Sequence, residues 1–299
     1  MKFYPKYGFF TFLVLFITFF IYWELTQPTR VLTFSGEDGE PNLKNGKEIF
    51  TSAGCLSCHN ASKSKPNTTA ILSGGKQFET PFGVFYAPNI SFDLKSGIGS
   101  WSEDEFINAL KNGVSPNGEH YFPVFPYSSF KNLTNQDIRD LRTFLKTLPP
   151  SAVENKPHQI KFPYSMRRNI GLWKVINSFN DQDKVDTDNR GEYLVKAVVH
   201  CGECHTPRNF LGIPQKSKFL KGSKNFNLKE SAPDITPAAS GIGDWSREEI
   251  VLYLKTGLTP EFDAAGGSMV DIIENLSVLK DTDYYAIADY LKSLTKYQK

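Results

Sequence analysis

The chain has 299 residues, and its 34 Lys and Arg nearly balance 32 Asp and Glu to leave a formal charge of +2, so nothing in its electrostatics points to nucleic acid. Once the amino-terminal apolar segment is set aside, the remainder is long enough for two domains of ordinary size. The 24 Phe and 13 Tyr suit small domains closed around a large flat group, and equally an ordinary aromatic core.

The first segment, Met1 to Lys6, is short and basic. An apolar run from Phe9 to Trp23 follows, which Tyr7, Gly8 and Leu25 extend to near spanning length. A cleaved signal peptide needs small residues just past its apolar region, and Tyr22, Trp23, Glu24, Leu25, Thr26 and Gln27 do not supply them. An uncleaved membrane anchor over residues 1–26 is the expectation, with 27–41 as a Gly-, Glu- and Pro-rich linker. Lys2 and Lys6 precede the span and Glu24 follows it, which keeps the amino-terminus cytoplasmic and everything after about Gln27 on the outer face of the membrane. Tyr22 and Trp23 then rest at the outer headgroup level.

A helix from Lys47 to Ala53 leads into Cys55-Leu56-Ser57-Cys58-His59. A second helix, Glu192 to Val199, leads into Cys201-Gly202-Glu203-Cys204-His205, and the two pentapeptides use every cysteine in the chain. This is the spacing of c-type haem attachment. Two thiols three positions apart add across the two vinyl groups of one porphyrin, and the adjacent histidine ligates iron. A structural zinc site places its Cys pairs about 15 to 20 residues apart, whereas these are 146 positions apart. A thioredoxin-like pair needs no histidine directly after it. Two covalent haem c groups are therefore the expected cofactors, held by Cys55, Cys58, Cys201 and Cys204, with His59 and His205 as proximal ligands.

The second half restates the first. Ala87-Pro88-Asn89-Ile90-Ser91 returns as Ala232-Pro233-Asp234-Ile235-Thr236, and Gly97-Ile98-Gly99-Ser100-Trp101-Ser102 as Gly241-Ile242-Gly243-Asp244-Trp245-Ser246. Ser102 with Glu105 and Ser246 with Glu249 form capping boxes that open helices ending near Gly113 and Gly257. Final helices are expected from Asn135 to Thr147 and from Asp281 to Leu294, packed on the helix before each Cys pair. Between the halves, Pro149-Pro150 marks a boundary, and an amphipathic helix from Ser165 to Phe179 carries Met166, Ile170 and Trp173 on a packing face. The expected fold is mainly α: two tandem class I cytochrome c-like domains, 42–150 and 189–299, joined by a linker at 151–188, after one transmembrane helix.

The sixth iron ligand separates the halves. Met269, in Gly266-Gly267-Ser268-Met269, is the expected distal ligand of the second haem, with a core packing role as the alternative. Its counterpart in the first half is Phe125, which cannot ligate iron. His120 is the nearest candidate, weighed against an ordinary surface histidine. His158 and His200 read as structural, the latter pointing away from the haem held by Cys201. A bis-histidine first haem would have the lower potential, and electrons would pass from the first haem to the second.

The run Cys-x-x-Cys-His, Ala-Pro-Asn-Ile-Ser, Gly-Ile-Gly-x-Trp-Ser, Phe-Pro-x-Phe-Pro-Tyr, Leu-Thr-x-x-Asp-Ile and Leu-x-x-Leu-Pro resembles the cytochrome c subunits of membrane-bound periplasmic dehydrogenases acting on alcohol, aldehyde or gluconate. The similarity covers about residues 42 to 296. Those subunits commonly carry three haem motifs, against two here, and many have Met where this chain has Phe125. Relatives with Phe there tend to have a nearby His, which supports His120 by resemblance only. The resemblance implies an electron carrier from a periplasmic dehydrogenase to a quinone, cytochrome or terminal oxidase, and no catalytic residues. The rivals are a haem enzyme acting on peroxide or thiosulfate at the first haem, and a dihaem oxidase subunit.

Overall fold

The amino-terminal helix α1 (Pro5–Leu25) opens with proline in its first turn, where no amide hydrogen is needed. Over Gly8–Leu25 its mean hydropathy is 1.9 and none of it is buried by the rest of the chain. The computed structural model describes residues 5–30, 39–60, 70–178, 185–224 and 231–294.

The first half begins with α2 (Leu43–Ser52), whose N-cap Asn42 accepts from the amides of Lys44 and Asn45. A single turn, α3 (Cys55–His59), follows. Two antiparallel strands, β1 (Gln77–Thr80) and β2 (Gly83–Tyr86), then form a ribbon in which Phe78 pairs with Phe85. Helix α4 (Glu103–Asn112) has the expected capping box and stops at Gly113 in the left-handed conformation, φ 56°. A short α5 (Tyr127–Phe130) precedes α6 (Asn135–Leu145), which crosses α2. Strand β3 (Gln159–Ile160) adds to β2 as a third, antiparallel strand, so the segment after Pro150 closes back on the first half. Helix α7 (Arg167–Ser178) then reaches the end of α1.

The same order returns. Helix α8 (Arg190–Tyr193) continues into a π-helical turn at Leu194–Val198 and then α9 (Gly202–His205). The ribbon of β4 (Lys221–Lys224) and β5 (Ser231–Asp234) follows. Helix α10 (Arg247–Thr256) has its own capping box and stops at left-handed Gly257, and α11 (Ser268–Leu276) and α12 (Asp281–Ser293) complete the half. The β ribbons and helices α5 and α11 lie outside the expected elements; the expected helices fall within a few residues of their expected bounds.

Each half is locked by a glycine where the pre-motif helix meets the last one. A Cβ on Gly46 would sit 2.0 Å from the Asp140 carbonyl oxygen, and one on Gly191 would sit 2.1 Å from that of Ala286. Only glycine permits this approach, which lets Ile49 and Phe50 meet Leu141 and Leu145, and Leu194 meet Ile287 and Leu291, in one continuous core.

The halves meet through equivalent contacts. Ser57 accepts from Asn275 at 3.0 Å, and Glu203 accepts from Ser129 at 2.7 Å. Ser57 and Glu203 occupy the same position in the two pentapeptides, and Ser129 and Asn275 are likewise 146 apart. Residue i touches j while the counterpart of j touches the counterpart of i, the signature of a two-fold relation. Helix α11 accordingly packs on α2, and α5 on the π-turn after α8.

Candidate haem-binding site

The chain reverses at Gly54, φ 67°, immediately after α2, so that α3 starts at Cys55. One helical turn then puts Cys55 and Cys58 on the same side, with His59 next to the second thiol. The equivalent reversal before Cys201 is made by His200 at φ 49°, a left-handed conformation that disfavours a side chain.

Both motif histidines are oriented alike. The Nδ1 of His59 lies 2.8 Å from the Pro88 carbonyl oxygen, and that of His205 lies 2.8 Å from Pro233. An N–H at Nδ1 donates to each carbonyl, which fixes the tautomer and leaves the Nε2 lone pair free to ligate. This explains why Ala-Pro-Asn/Asp-Ile recurs: its proline carbonyl is the orienting acceptor. The residue after each proline holds the loop. Asn89 donates to the carbonyls of Ser151 and Val153 at 2.7 and 2.9 Å, and Asp234 accepts from the Thr236 amide at 2.8 Å.

Burial lowers the pKa of both His59 and His205, so the imidazoles are neutral, as iron ligation requires. Burial also pushes the thiols of Cys55 and Cys201 up to about 12. A redox-active pair would show the reverse, a thiol poised as thiolate. The four cysteines are not paired with one another in disulfides, and among the described residues no three His, Cys, Asp or Glu side chains converge as a metal cage.

Above the first motif lies a cavity of about 1400 Å³ whose walls include Cys55, Cys58, His59, Phe85, Trp101 and Phe125. Its aromatic lining and the free Nε2 of His59 fit a porphyrin. Cys204 and His200, from the second motif and its approach, are also on the wall of this cavity, as is Ile272 of α11. The two attachment turns therefore border one cavity.

The other expected ligands divide. Met269 stands in the first turn of α11, half-buried against the core. Its counterpart Phe125 faces the cavity and meets Tyr121, Tyr127 and Phe130 edge-on. His120 differs from expectation. It is buried, but off the cavity wall, which Tyr121 to Phe125 form instead. Its Nε2–H donates to the Thr26 carbonyl at 2.9 Å, at the exit of α1, while its Nδ1 is buried without a hydrogen-bond partner.

His158 packs against Phe85 and Phe122 on the cavity wall, and its Nδ1 faces the Tyr86 amide at 3.2 Å. Accepting there puts its proton on Nε2, the wrong tautomer for a ligand. His200 turns to the first half, with its Nε2 3.3 Å from the Ala53 carbonyl and its ring against Phe130. Met166 does not pack: it precedes α7 and is exposed, while Ile170 is buried and the Trp173 indole donates to the Leu211 carbonyl at 3.1 Å across the halves.

A doubled Cys-x-x-Cys-His turn, with each histidine aimed by a proline carbonyl and an aromatic-lined cavity with room for a porphyrin above the first, defines a c-type haem protein. Residues 43–149 match the family model for cytochrome c. The chain is 44% identical over 274 residues to a diheme cytochrome c-type protein of Cereibacter sphaeroides, covering 90% of this chain and 91% of that one. It is 35% identical to the fructose dehydrogenase cytochrome subunit of Gluconobacter japonicus and 34% identical to the cytochrome c subunit of the quinone alcohol dehydrogenase of Gluconobacter oxydans, over 90% and 85% of this chain. It spans 55% of the length of each of those two subunits. The chain belongs to the cytochrome c family, and covalently bound haem c is its cofactor.

Proposed function

We propose that the protein is a membrane-anchored dihaem c-type cytochrome that takes electrons from a periplasmic dehydrogenase and passes them to a quinone, a cytochrome or a terminal oxidase. The observation that carries the reading is the doubled histidine geometry, a 2.8 Å bond from Nδ1 to a proline carbonyl in each half with Nε2 free. The repeated element order supports two tandem class I cytochrome c-like domains, 42–150 and 189–299. Cys55 and Cys58 hold the first haem with His59 as proximal ligand, and Cys201 and Cys204 hold the second with His205. The names of the dehydrogenase subunits supply the class of donor, and the apolar helix α1 supports a single-pass anchor in the inner membrane, with the haems on the periplasmic side.

When bound, haem c supplies a one-electron couple, and transfer through it is outer-sphere. The chain's own residues set its environment: His59 and His205 present neutral Nε2, and Phe85, Trp101 and Phe125 exclude water from the first site. Met269 is assigned as the sixth ligand of the second haem. His120 is not carried forward as the sixth ligand of the first, because it is held against the end of α1 and off the cavity wall. Electron paramagnetic resonance during a redox titration tests the assignment, with reduction by a purified membrane-bound dehydrogenase as the functional arm. The expected result is two one-electron couples, one with a His/Met signal that Met269→Leu abolishes, and reduction of both by the dehydrogenase. Failure of every such donor to reduce the protein would overturn the role.

A further inference from the structure

The end of α1 is a fixed joint. Thr26 is fully buried, and its carbonyl takes the His120 Nε2–H at 2.9 Å. Gly171 of α7 lies against it so closely that a Cβ there would sit 2.5 Å from the same oxygen. Arg168 donates to the Thr26 hydroxyl at 2.9 Å and to the Trp23 carbonyl, and its guanidinium lies 4.1 Å from the centre of the Trp23 ring. Arg30 bonds the Ser115 carbonyl at 2.7 Å, as well as that of Pro116. A cation at the carboxyl end of α1 also complements the helix dipole. Thus α1 does not hand over to a loose tether; residues 26–30 dock onto the first half.

Beside that joint six consecutive residues, Lys161-Phe162-Pro163-Tyr164-Ser165-Met166, are exposed. Phe162 is 79% exposed, Tyr164 43% and Met166 47%. One side chain fixes their level relative to α1. Asn169 accepts from the Tyr22 hydroxyl at 2.8 Å through its Oδ1 and donates to the Pro163 carbonyl at 3.1 Å through its Nδ2. The exposed turn is therefore two hydrogen bonds from Tyr22, in the last turn of the apolar helix. Its chemistry is that of an interfacial segment: aromatic and thioether side chains flanked by Lys161, Arg167 and Arg168.

We propose that the turn Lys161–Met166 is a second membrane contact, seated in the outer-leaflet interface of the bilayer that α1 crosses. The inference rests on the anchor reading of α1. The occupant is the bilayer because the turn is rigidly joined to the emerging end of α1 and continues its Tyr22 and Trp23 belt. Pro163, Tyr164, Arg167 and Ile170 also line the cavity above the first motif, so this contact holds the first haem site, rather than the second, against the membrane surface.

The test uses the full chain in nanodiscs of phosphatidylethanolamine and phosphatidylglycerol, with the haems left oxidised and each label read against its own reagent-free relaxation. Because the native cysteines are consumed by haem, a spin label goes only to an introduced thiol, in Phe162→Cys, Tyr164→Cys, Phe16→Cys and Leu94→Cys variants. Leu94 is 74% exposed and serves as the aqueous reference. The expected result is higher collision rates with lipid-soluble oxygen than with a water-soluble nickel chelate at 162, 164 and 16, and the reverse at 94. A lipid-like label at 16 with water-like labels at 162 and 164 overturns the second contact alone. A water-like label at 16 overturns the anchor reading, and the proposal with it.

Discussion

The helix crossing in the second half gives a sharp test of the packing. In Gly191→Ala the new methyl would lie 2.1 Å from the Ala286 carbonyl oxygen, 2.7 Å from its carbon and 2.8 Å from Tyr290 Cβ. Ordinary contact needs about 3.5 Å, so α8 and α12 must part by about 1 Å. That gap forfeits a quarter to a half of the dispersion energy of each atom pair across the crossing. Overpacking of this kind costs about 1–3 kcal/mol, and backbone obstacles cannot rotate aside, which places the cost at about 3 kcal/mol. Alanine returns up to about 1 kcal/mol through helix propensity. The net loss is about 2 kcal/mol, read as a fall in Tm of about 4–8 °C. Thermal unfolding followed by far-ultraviolet circular dichroism measures it, with Gly266→Ala as control because nothing lies within 4 Å of a Cβ there. An unchanged or higher Tm for Gly191→Ala would refute the close crossing.

Further tests address individual contacts. His120→Ala is expected to leave both haem spectra unchanged while lowering stability by about 1–3 kcal/mol, because the buried Thr26 carbonyl loses its donor; a shift of the first haem to a new spin state would return His120 to the ligand set. A double-mutant cycle on Ser57→Ala and Asn275→Ala should give a coupling of about 1 kcal/mol in chemical denaturation, and zero coupling would contradict the interface between the halves. Lys174, which caps α4 through the Asn112 and Gly113 carbonyls, is pushed by burial from 10.5 down to about 7. Between those values the unfolded chain holds a proton that the folded chain has lost, so stability should rise with pH across that window. Lys174→Met should flatten that rise in denaturation series at several pH values; an unaltered slope would show that Lys174 is not its source.

The elements that sequence reading recovered are set locally. Serine and glutamate at capping-box spacing, glycine at helix ends and the pentapeptide act within a few residues, and the structure places α4, α6, α10 and α12 close to expectation. What escaped depends on distant partners. Nothing near His120 in the sequence says that the end of α1 lies against it, so a buried capping histidine reads as a free ligand. Met166 has the period of a packing residue but precedes the helix and faces outward. The role of Pro88 and Pro233 is visible only once their carbonyls are seen beside the motif histidines, although the repeated Ala-Pro dipeptide was a signal that something was being preserved. The left-handed residues His200 and Phe262 likewise become intelligible as counterparts of Gly54 and Gly118, backbone positions kept where the glycine was not.

Intact-mass spectrometry of the mature chain tests the central claim most directly. The account predicts a mass greater than that of the polypeptide by two haem groups. One should be lost in Cys55→Ser/Cys58→Ser and the other in Cys201→Ser/Cys204→Ser, and the native chain should carry no titratable thiol. A mature chain with one haem or none, or with reactive thiols at either pentapeptide, would contradict it.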